Sequence, residues 1–533
     1  MFEVERTNNG TSFRLCSLRL FDHPILHNIS LKFSNEYDTT NNVYTTVIIG
    51  ENGIGKSTLL GSIAEIFCYL ERLKRKRPTY DARPKYYFEI EYKLSDQRIK
   101  VANFVGDVPY EGRKIFSRCY IYTNGIQTDF EMIELPQRVI VSATTIADKF
   151  VAKSTEMFRY KGLRNENSPA LTGTRTMVRK TVSSLLESLD TKTGFRQELR
   201  DLLRYLKLSP RLELSYRLTY SYELIRENIE AIEIKMFLKE RRKSPSDLDL
   251  NTNRHLEHDR NGDIIRERIP EQWQDRELVL FVNDEERRLY ELAAAFYRTL
   301  FRRNQRGNYI RYNLLEEGCK ANEDKEYLKA LDSLDLLSYP FLKVFKINEG
   351  YEFDNSSSGE SSLFCQLVNI MSVIEPGSVI LIDEPECSTH PNWQISYMKW
   401  LEQTFKKYNS CHFVVSTHSH LLLSGLKGDN SSIIALAKDD KTQQIINKSD
   451  GINTFGWSAD DILYEVFRIR NKHNKALERD LERAVQLLEE KEPLSTKEIN
   501  QIIERFNKVY RGVKDPLGKF ITELKEYAES KTN

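Results

Sequence analysis

Apolar and polar positions follow two periods along this chain, one typical of buried strands and one typical of helices. Short runs rich in Val and Ile occupy 43–49, 378–382 and 412–416, and such runs predict strands buried on both faces, as in a parallel sheet. The first run is followed by apolar residues at helical spacing, namely Leu59, Leu60, Ile63, Ile66, Phe67 and Leu70. We therefore predict an α/β fold in which parallel strands alternate with helices.

Outside these runs the pattern changes along the chain and predicts four parts. Residues 1–150 contain further short strands such as YYFEIEYKL, SRCYIYT and RVIVSAT, which we assign to a β-subdomain beside the first buried strand. Residues 151–340 are charged and carry amphipathic stretches, so they predict a helical insertion or lid. Residues 341–445 return to buried strands, and 446–533 predict a helical tail that packs together or docks onto a partner.

Composition and charge limit the classes of function. The 533 residues carry a net charge of +1, so any contact with nucleic acid must use a local basic patch. The N-terminal stretch is charged and no long apolar run occurs, which predicts neither a secretion signal nor a membrane span. The seven cysteines are scattered without a C-x-x-C pair, as is typical of a protein of the reducing cytoplasm that has no cysteine-built metal site.

Two basic stretches are candidates for such a local patch. Residues 72–85 follow the first predicted helix, and residues 297–311 mix arginine with aromatic side chains. One interpretation is contact with the backbone of a nucleic acid. The other is a solvated surface that acidic neighbours neutralise. The sequence leaves both interpretations open.

The first predicted strand leads into a glycine-rich loop with the spacing of a phosphate-binding loop, Gly50-x-x-x-x-Gly55-Lys56-Ser57. Glycines let the backbone turn its N–H groups inward, and the helix that begins there favours an anionic phosphate. Lys56 is predicted to reach the β- and γ-phosphates of ATP, and Ser57 to bind Mg²⁺. The predicted nucleotide contacts of this loop are Gly50, Glu51, Asn52, Gly53, Ile54, Gly55, Lys56, Ser57 and Thr58.

Polar residues at the ends of the two later strands complete a candidate hydrolytic site. Asp383 and Glu384 follow the strand 378–382, at the strand end where open α/β sheets bind ligands. We predict that Asp383 holds Mg²⁺ and that Glu384 polarises the attacking water. His418 follows the strand 412–416, where a γ-phosphate contact is expected, although a lone histidine after a strand is more often structural.

A turn of small residues before another helix is a candidate second anion site. The helix that follows carries Leu363, Leu367 and Ile370 on one face. Such a turn is most often a plain N-cap, so its assignment as a nucleotide contact depends on the other motifs. The residues of this turn are Ser357, Ser358, Gly359 and Glu360.

Taken in chain order, these motifs resemble those of the ABC-type ATPase heads of the SMC, Rad50 and OLD-like group. Residues 50–57 resemble the Walker A motif, 357–360 the signature, 379–384 Walker B, 386–391 the D-loop and His418 the switch histidine. The resemblance covers residues 1–150 and 340–445. It implies an ABC-type P-loop head that hydrolyses ATP with Mg²⁺ and forms a head-to-tail dimer or higher oligomer, in which the signature of one subunit closes on the phosphate loop of another.

Two positions depart from the pattern of these heads or leave it incomplete. Ser356 stands where the signature usually begins with leucine, so the entry to that helix is expected to pack differently. The Q-loop residue is not defined, because Gln137 and Ser142 both lie near the expected place.

Three local stretches, RVIVSATTIADKF, RYKGLRNENS and FGWSADDILYEVF, resemble the PtuA ATPases of Septu anti-phage systems, a group that includes retron effectors. This resemblance implies a sensor and assembly platform that controls a partner HNH endonuclease of the PtuB type. A retron-linked member would also contact a reverse transcriptase with its RNA-linked DNA. We expect no nuclease centre in this chain, because acidic or Cys/His clusters of the required kind are not apparent.

Two alternatives share the predicted ATPase head. A DNA repair or recombination ATPase of the Rad50 type would need long arms, and heptads are not sustained over four repeats here. A nucleotide-binding subunit of a transporter would need a membrane-coupling segment, and the large insertion is hard to place in such a subunit.

Overall fold

The computed structural model describes most of the chain from residue 11 to residue 447 and three short segments after it. The described residues are 11–34, 43–75, 83–109, 119–145, 148–151, 154–164, 174–241, 256–258, 264–267, 281, 283–305, 307–338, 340–346, 349–352, 358–387, 389–423, 425–426, 430–439, 442, 444–447, 483–485, 496–509 and 521–526.

The described strands and helices alternate along the chain. The strands are β1 (Phe13–His23), β2 (His27–Lys32), β3 (Tyr44–Gly50), β4 (Tyr87–Leu94), β5 (Gln97–Ala102), β6 (Tyr120–Thr123), β7 (Ile126–Thr128), β8 (Val139–Ala143), β9 (Phe158–Tyr160), β10 (Leu208–Arg217), β11 (Leu256–His258), β12 (Ile264–Glu267), β13 (Tyr309–Asn313), β14 (Phe341–Lys346), β15 (Glu349–Glu352), β16 (Val379–Asp383), β17 (His412–Thr417), β18 (Ser431–Lys438) and β19 (Ile445–Asn447).

The helices complete this order. They are α1 (Lys56–Lys74), α2 (Thr174–Thr191), α3 (Phe195–Tyr205), α4 (Ser221–Leu224), α5 (Ala231–Arg241), α6 (Asp284–Arg302), α7 (Lys325–Ser333), α8 (Ser358–Val373), α9 (Pro391–Thr404), α10 (His420–Leu423) and α11 (Thr496–Val509). Among the described residues, no helix combines the length and the apolar composition needed to cross a lipid bilayer.

A seven-stranded sheet forms the centre of the fold, in the order β19-β18-β3-β17-β16-β8-β9. Neighbouring strands are parallel except at the β18–β19 edge. Every residue of β16 and β17 is buried, as the unbroken apolar runs predict for strands covered on both faces. The α/β class and the parallel sheet are therefore confirmed.

A six-stranded antiparallel sheet, in the order β2-β1-β4-β5-β6-β7, packs on the other side of α1. Phe67 on α1 lies between two aromatic side chains of that sheet, with ring centroids 6.0 Å from Phe13 and 5.6 Å from Tyr92. Because α1 has sheets on two sides, almost its whole length from Leu59 to Glu71 is buried. The helix after the phosphate loop is thus part of the core and holds that loop in a fixed place.

One of the strands assigned to the β-subdomain lies elsewhere. The stretch RVIVSAT contains β8, which pairs in parallel with β16 in the central sheet, with Ala143 opposite Asp383. The prediction was wrong because a short buried strand has the same composition in either kind of sheet. Only the pairing with β16 and β9 decides its place.

The interval 151–340 was predicted to be helical, and it also contains strands. β10 pairs with β13 and with β14, and β14 pairs with β15, which extends this four-stranded sheet past residue 340 to Glu352. In β10 the buried residues are Leu212, Leu214 and Tyr216, and they alternate with partly exposed ones. The insertion is therefore a mixed α/β element, and the description as purely helical is corrected.

Helix α2, at the start of this insertion, packs along α8. Asn369 donates a hydrogen bond of 3.0 Å to the Thr181 hydroxyl between the two helices. Near their ends, Lys192 Nζ donates to the carbonyl of Met371 at 2.7 Å. The start of the insertion is therefore joined to the helix that begins at the predicted signature.

Residues 458–533 form a second compact unit, separate from residues 1–457. Within its described residues, α11 buries Ile499, Ile502, Ile503 and Phe506, the spacing of one helix face. This helix lies in the predicted stretch LSTKEINQIIERF. The FGWSADDILYEVF stretch lies outside the described residues.

We expect the centre of β16 to dominate the stability of the central sheet. Leu381 is fully buried and lies opposite Val141 of β8 and Val414 of β17. Leu381→Ala should lower the free energy of unfolding by about 2–5 kcal/mol, because the cavity is enclosed by strands on both sides. Urea unfolding followed by circular dichroism measures this loss.

The matched control is Ile126→Ala, since Ile126 is 71% exposed on the edge hairpin of the antiparallel sheet. Its effect should stay within about 0.5 kcal/mol. Equal losses in the two variants would show that the central strand is not the stabilising layer described above.

Candidate functional site

The strand order brings three separate sequence motifs to one edge of the central sheet. β17 lies between β3 and β16, and the register sets Thr417 opposite Ile49 and Ser416 opposite Asp383. Since these strands are parallel, their carboxyl ends meet at the same edge, where α/β sheets bind ligands. The phosphate loop, the acidic pair and the histidine are therefore neighbours although more than 300 residues separate the first from the others in sequence.

The phosphate loop has the backbone that its glycines were predicted to allow. Gly55 has a φ of 101°, and a Cβ atom there would lie 2.6 Å from Leu26 Cδ2. A Cβ on Gly50 would lie 2.5 Å from the carbonyl oxygen of Leu436. Both positions therefore exclude larger side chains by conformation and by space. The N–H of Leu59 donates to the Gly55 carbonyl at 2.8 Å, so the helix begins directly at the loop.

The loop lysine is held inside the site by three acceptors. Lys56 is only 3% exposed, and its Nζ donates to the carbonyls of Gly50 at 2.7 Å and Glu51 at 3.0 Å and to His418 Nδ1 at 2.8 Å. Burial lowers the pKa of Lys56 to about 8, while the nearby carboxylates, first that of Glu384, oppose the shift. Phosphate oxygens would compete with these carbonyls for the same donor.

The predicted magnesium ligands touch each other. The Ser57 hydroxyl donates to Asp383 Oδ1 at 3.0 Å, and the Ser416 hydroxyl donates to the same oxygen. The other oxygen, Oδ2, is buried and has no hydrogen-bond partner among the described residues. Burial raises the pKa of Asp383 to about 6, although both hydroxyls favour its carboxylate form. An unpartnered carboxylate oxygen beside a serine hydroxyl fits the oxygen donors that Mg²⁺ prefers.

The predicted catalytic glutamate and histidine form a hydrogen-bonded pair. His418 Nε2 lies 2.9 Å from Glu384 Oε1, and because Nδ1 accepts from Lys56, the Nε2–H donates in the neutral ring. This hydrogen bond is the main cause of the lowered pKa of Glu384. Glu384 also has a φ of 49°, and its N–H donates to Ser416 carbonyl at 3.0 Å. The carboxylate is thus ionised and fixed in direction by its neighbours.

Two further residues position this pair; the predicted D-loop includes Glu386 without giving it this role, and the sequence does not single out Thr144. Glu386 turns inward, where its Oε1 accepts from the backbone N–H of His418 at 2.5 Å, and burial raises its pKa. Thr144, directly after β8, donates from its hydroxyl to the carbonyl of Glu384 at 2.5 Å. Glu386 carries a signal that could have been used, because it lies two residues after Glu384 within the predicted D-loop. Thr144 carries none until β8 is placed beside β16.

The pairing of β8 with β16 also bears on the two candidates for the Q-loop residue, Gln137 and Ser142. Gln137 precedes β8, and its side chain donates to Glu375 at 3.0 Å, at the amino end of the sheet. Ser142 is buried within the strand, opposite Ile382. The residue that reaches the acidic pair is Thr144, which directly follows β8, so neither alternative occupies that place.

The signature motif is only partly described. Helix α8 begins at Ser358, as predicted for the turn, but Ser357 lies outside the described residues. The side chains of Ser358, Gly359 and Glu360 also lie outside the description. Their assignment as nucleotide contacts stays a prediction.

The two basic stretches are partly neutralised by neighbours. Arg75 pairs with Glu71 at 2.9 Å and with Glu156 at 2.8 Å. In the second stretch Arg303 pairs with the buried Asp324 at 2.7 Å. These pairs favour the solvated interpretation for those arginines, while residues 76–82 lie outside the described part.

Within the described ranges, no group of three or more His, Cys, Asp or Glu side chains is arranged to hold a metal ion.

Comparisons with known proteins show the family of this chain. Residues 25–423, about three quarters of the chain, match the family model described as AAA ATPase domain. The Retron Vc95 probable ATPase of Vibrio cholerae serotype O1 biovar El Tor is 23% identical over 490 residues, covering 86% of this chain and 80% of that protein.

Two solved structures match this chain at low sequence identity. The SMC head domain from Thermotoga maritima matches with a TM-score of 0.33 and 12% identity, over 81% of this chain and 98% of that one. The recombination mediator protein RecF with ATP, of the RecFOR pathway, matches with a TM-score of 0.27 and 13% identity, over 78% of this chain and 94% of that one.

The hydroxyl of Thr144 offers a test of the site geometry. Thr144→Val keeps the shape of the side chain but removes the hydrogen bond that fixes the Glu384 carbonyl. We expect the turnover number for ATP to fall about tenfold while the Kd for ATP changes less than about twofold, since the threonine positions Glu384. Steady-state phosphate release and nucleotide binding measure the two effects separately.

Thr123→Val serves as the control, because among the described residues the Thr123 hydroxyl bonds to that of Thr128, in the hairpin of the antiparallel sheet and away from the site. It should turn over ATP like the unaltered protein. If Thr144→Val also does so, the threonine does not position Glu384.

Proposed function

Because the chain belongs to the AAA ATPase domain family, we propose that it binds ATP with Mg²⁺ at the loop after β3 and hydrolyses it to ADP and phosphate. One observation carries this proposal: a hydrogen-bonded chain runs from Lys56 through His418 to Glu384, directly beside the Ser57–Asp383 pair. Phosphate binding, metal binding and water activation need groups of these types within reach of one another. The strand register supplies that proximity.

Each residue receives a role from its contacts. Lys56 and the loop N–H groups bind the phosphates, and Ser57 with Asp383 would hold Mg²⁺, which screens phosphate charge when bound. Glu384 accepts a proton from the attacking water, because its pKa is lowered and it is ionised at neutral pH. His418 orients Glu384 through Nε2 and lies close enough to Lys56 to follow changes at the phosphates.

We further assign the phosphate loop and the signature of two different copies to one ATP site. The residues given to the second half of the site are Ser357, Ser358, Gly359 and Glu360, at the start of α8. The resemblance to ABC-type heads supports this arrangement, since ATP there joins two heads in head-to-tail order. A dimer or a higher oligomer would then form only when ATP is bound at both sites.

At the cellular level, the proposed role is a sensor and assembly platform in bacterial anti-phage defence. ATP-closed heads would hold a partner HNH endonuclease of the PtuB type inactive, and infection would release it. The similarity to a retron probable ATPase supports this role and adds a reverse transcriptase with RNA-linked DNA as candidate partners. The seven free cysteines fit the cytoplasm as the place of action.

The role of Glu384 is tested by removing its charge while keeping its shape. Glu384→Gln should lower ATP turnover at least about 100-fold, because the amide cannot accept the proton of water. The Kd for ATP should change little, and the variant should elute as a dimer when ATP and Mg²⁺ are present. Phosphate release and light scattering after gel filtration measure these effects.

Glu326→Gln is the matched control, since Glu326 is an exposed acid on α7 whose side chain is 67% exposed. It should leave turnover unchanged. Hydrolysis at the normal rate by Glu384→Gln would show that another group activates the water.

Partner control is tested by affinity purification from cells that carry the flanking genes. The unaltered protein and Glu384→Gln should both recover a small HNH nuclease, with more of it in the ATP-trapped variant. Lys56→Ala should recover less, because its loop lacks the charge that binds the phosphates. Mass spectrometry and sequencing of bound nucleic acid identify what co-purifies.

A different set of partners would redirect the interpretation. Recovery of chromosomal duplex DNA and repair proteins without an HNH nuclease would favour a Rad50-type repair ATPase. If Lys56→Ala recovers as much nuclease as the unaltered protein does, assembly with the nuclease does not depend on ATP binding.

A further inference from the structure

A cavity of about 380 Å³ opens at the end of the central sheet opposite the ATP site. It lies between α2, the last residues of α8 and the beginnings of β8 and β9. Arg138 precedes β8, whereas Thr144 follows it, and the strand between them separates these two residues by roughly 20 Å. The cavity is therefore distinct from the nucleotide site and belongs to the same rigid sheet.

Positive charge is in excess on the walls of this cavity. Four cationic side chains and two carboxylates line it, which leaves a surplus of two positive charges. The cations are Arg138, Arg159, Lys161 and Lys192, and the carboxylates are Glu187 and Glu375. Burying unbalanced cations costs free energy unless an anion compensates them.

The two arginines repel each other and are incompletely hydrogen-bonded. Arg159 lies opposite Ile140 in the β8–β9 pair, so its side chain shares a sheet face with that of Arg138. Burial and then the charge of Arg138 lower the pKa of Arg159. The Nε atoms of both arginines are buried without an acceptor among the described residues. Of the two, Arg138 forms a salt bridge to Glu375 at 2.8 Å.

Hydroxyl groups line the helical wall, where those of Ser188, Thr191 and Ser372 donate to backbone carbonyls. Ser184, Ser188 and Thr191 lie one and two turns apart on the face of α2 that lines the cavity, and Ser372 faces them from α8. Lys161 Nζ already donates to Ser184 at 2.9 Å. The described lining includes no aromatic side chain, so nothing there would stack on a nucleobase.

We propose that this cavity is a second anion site, which binds a small phosphorylated molecule through its phosphate groups. Guanidinium groups offer paired N–H donors that match phosphate oxygens, and the two arginines Arg138 and Arg159 both line this cavity. A surplus of two charges suits a ligand with two phosphate groups, and the volume lies within the range of ligand sites. The ligand would contact α2 and α8 together.

Inorganic pyrophosphate is the probe, titrated into the full chain by calorimetry. Every titrated chain carries Lys56→Ala, which weakens the binding of phosphate groups at the phosphate loop. The pyrophosphate binding that remains is therefore binding to the cavity. We expect one pyrophosphate per chain, and an added Arg159→Gln should weaken binding by about tenfold or more, because it removes a charge-assisted donor. Arg204→Gln removes the same charge from a side chain that is 72% exposed on α3, and should weaken binding less than about twofold.

A second variant is expected to strengthen pyrophosphate binding, an effect that misfolding would not produce. Glu187 is an exposed carboxylate at the rim, and Glu187→Gln should tighten pyrophosphate binding by about threefold or more by removing repulsion. A damaged fold cannot produce tighter binding. The proposal is overturned if Lys56→Ala binds no pyrophosphate, or if Arg159→Gln and Arg204→Gln weaken binding equally. It is also overturned if Glu187→Gln does not tighten it.

Discussion

The parallel pairing of β17 between β3 and β16 is the constraint on which the candidate site depends. Backbone hydrogen bonds of these ladders fix the register, so that Ser416 lies opposite Asp383 and Thr417 opposite Ile49. A shift of one residue would turn every side chain to the other face and separate the groups. The stability of the buried sheet thus holds the polar groups at its edge in place, and no contact between the loops alone would do so.

That edge concentrates charges which burial makes costly. Three carboxylates, those of Asp383, Glu384 and Glu386, lie near a single buried lysine. The surroundings of the three groups shift their pKa values in different directions. Burial raises the pKa of Asp383 and that of Glu386, while the hydrogen bond from His418 lowers the pKa of Glu384. Groups of the same chemical type thereby differ in the way that the proposed roles require, Asp383 in metal binding and Glu384 in accepting a proton.

The two ends of the central sheet are built differently but share the same helices. The carboxyl ends of the strands carry acidic groups around one lysine, whereas arginine nitrogens without an acceptor among the described residues lie at the opposite end, beside β8 and β9. Helix α8 connects these regions, because it begins at the predicted signature and ends at the basic cavity. Its contacts with α2, through Asn369 and Lys192, make the start of the insertion part of the head.

The sequence by itself determined the α/β class, the phosphate loop and the strand ends that carry Asp383, Glu384 and His418. These features are local, since apolar runs, glycine spacing and the residues that follow a strand are read within short windows. The tertiary structure alone decided the neighbours: β8 beside β16, Thr144 on the Glu384 carbonyl, and a sheet within the insertion predicted to be helical. The physical reason is that a short buried strand looks the same wherever it pairs, because backbone hydrogen bonds between distant segments choose its partner and leave no mark in its own composition.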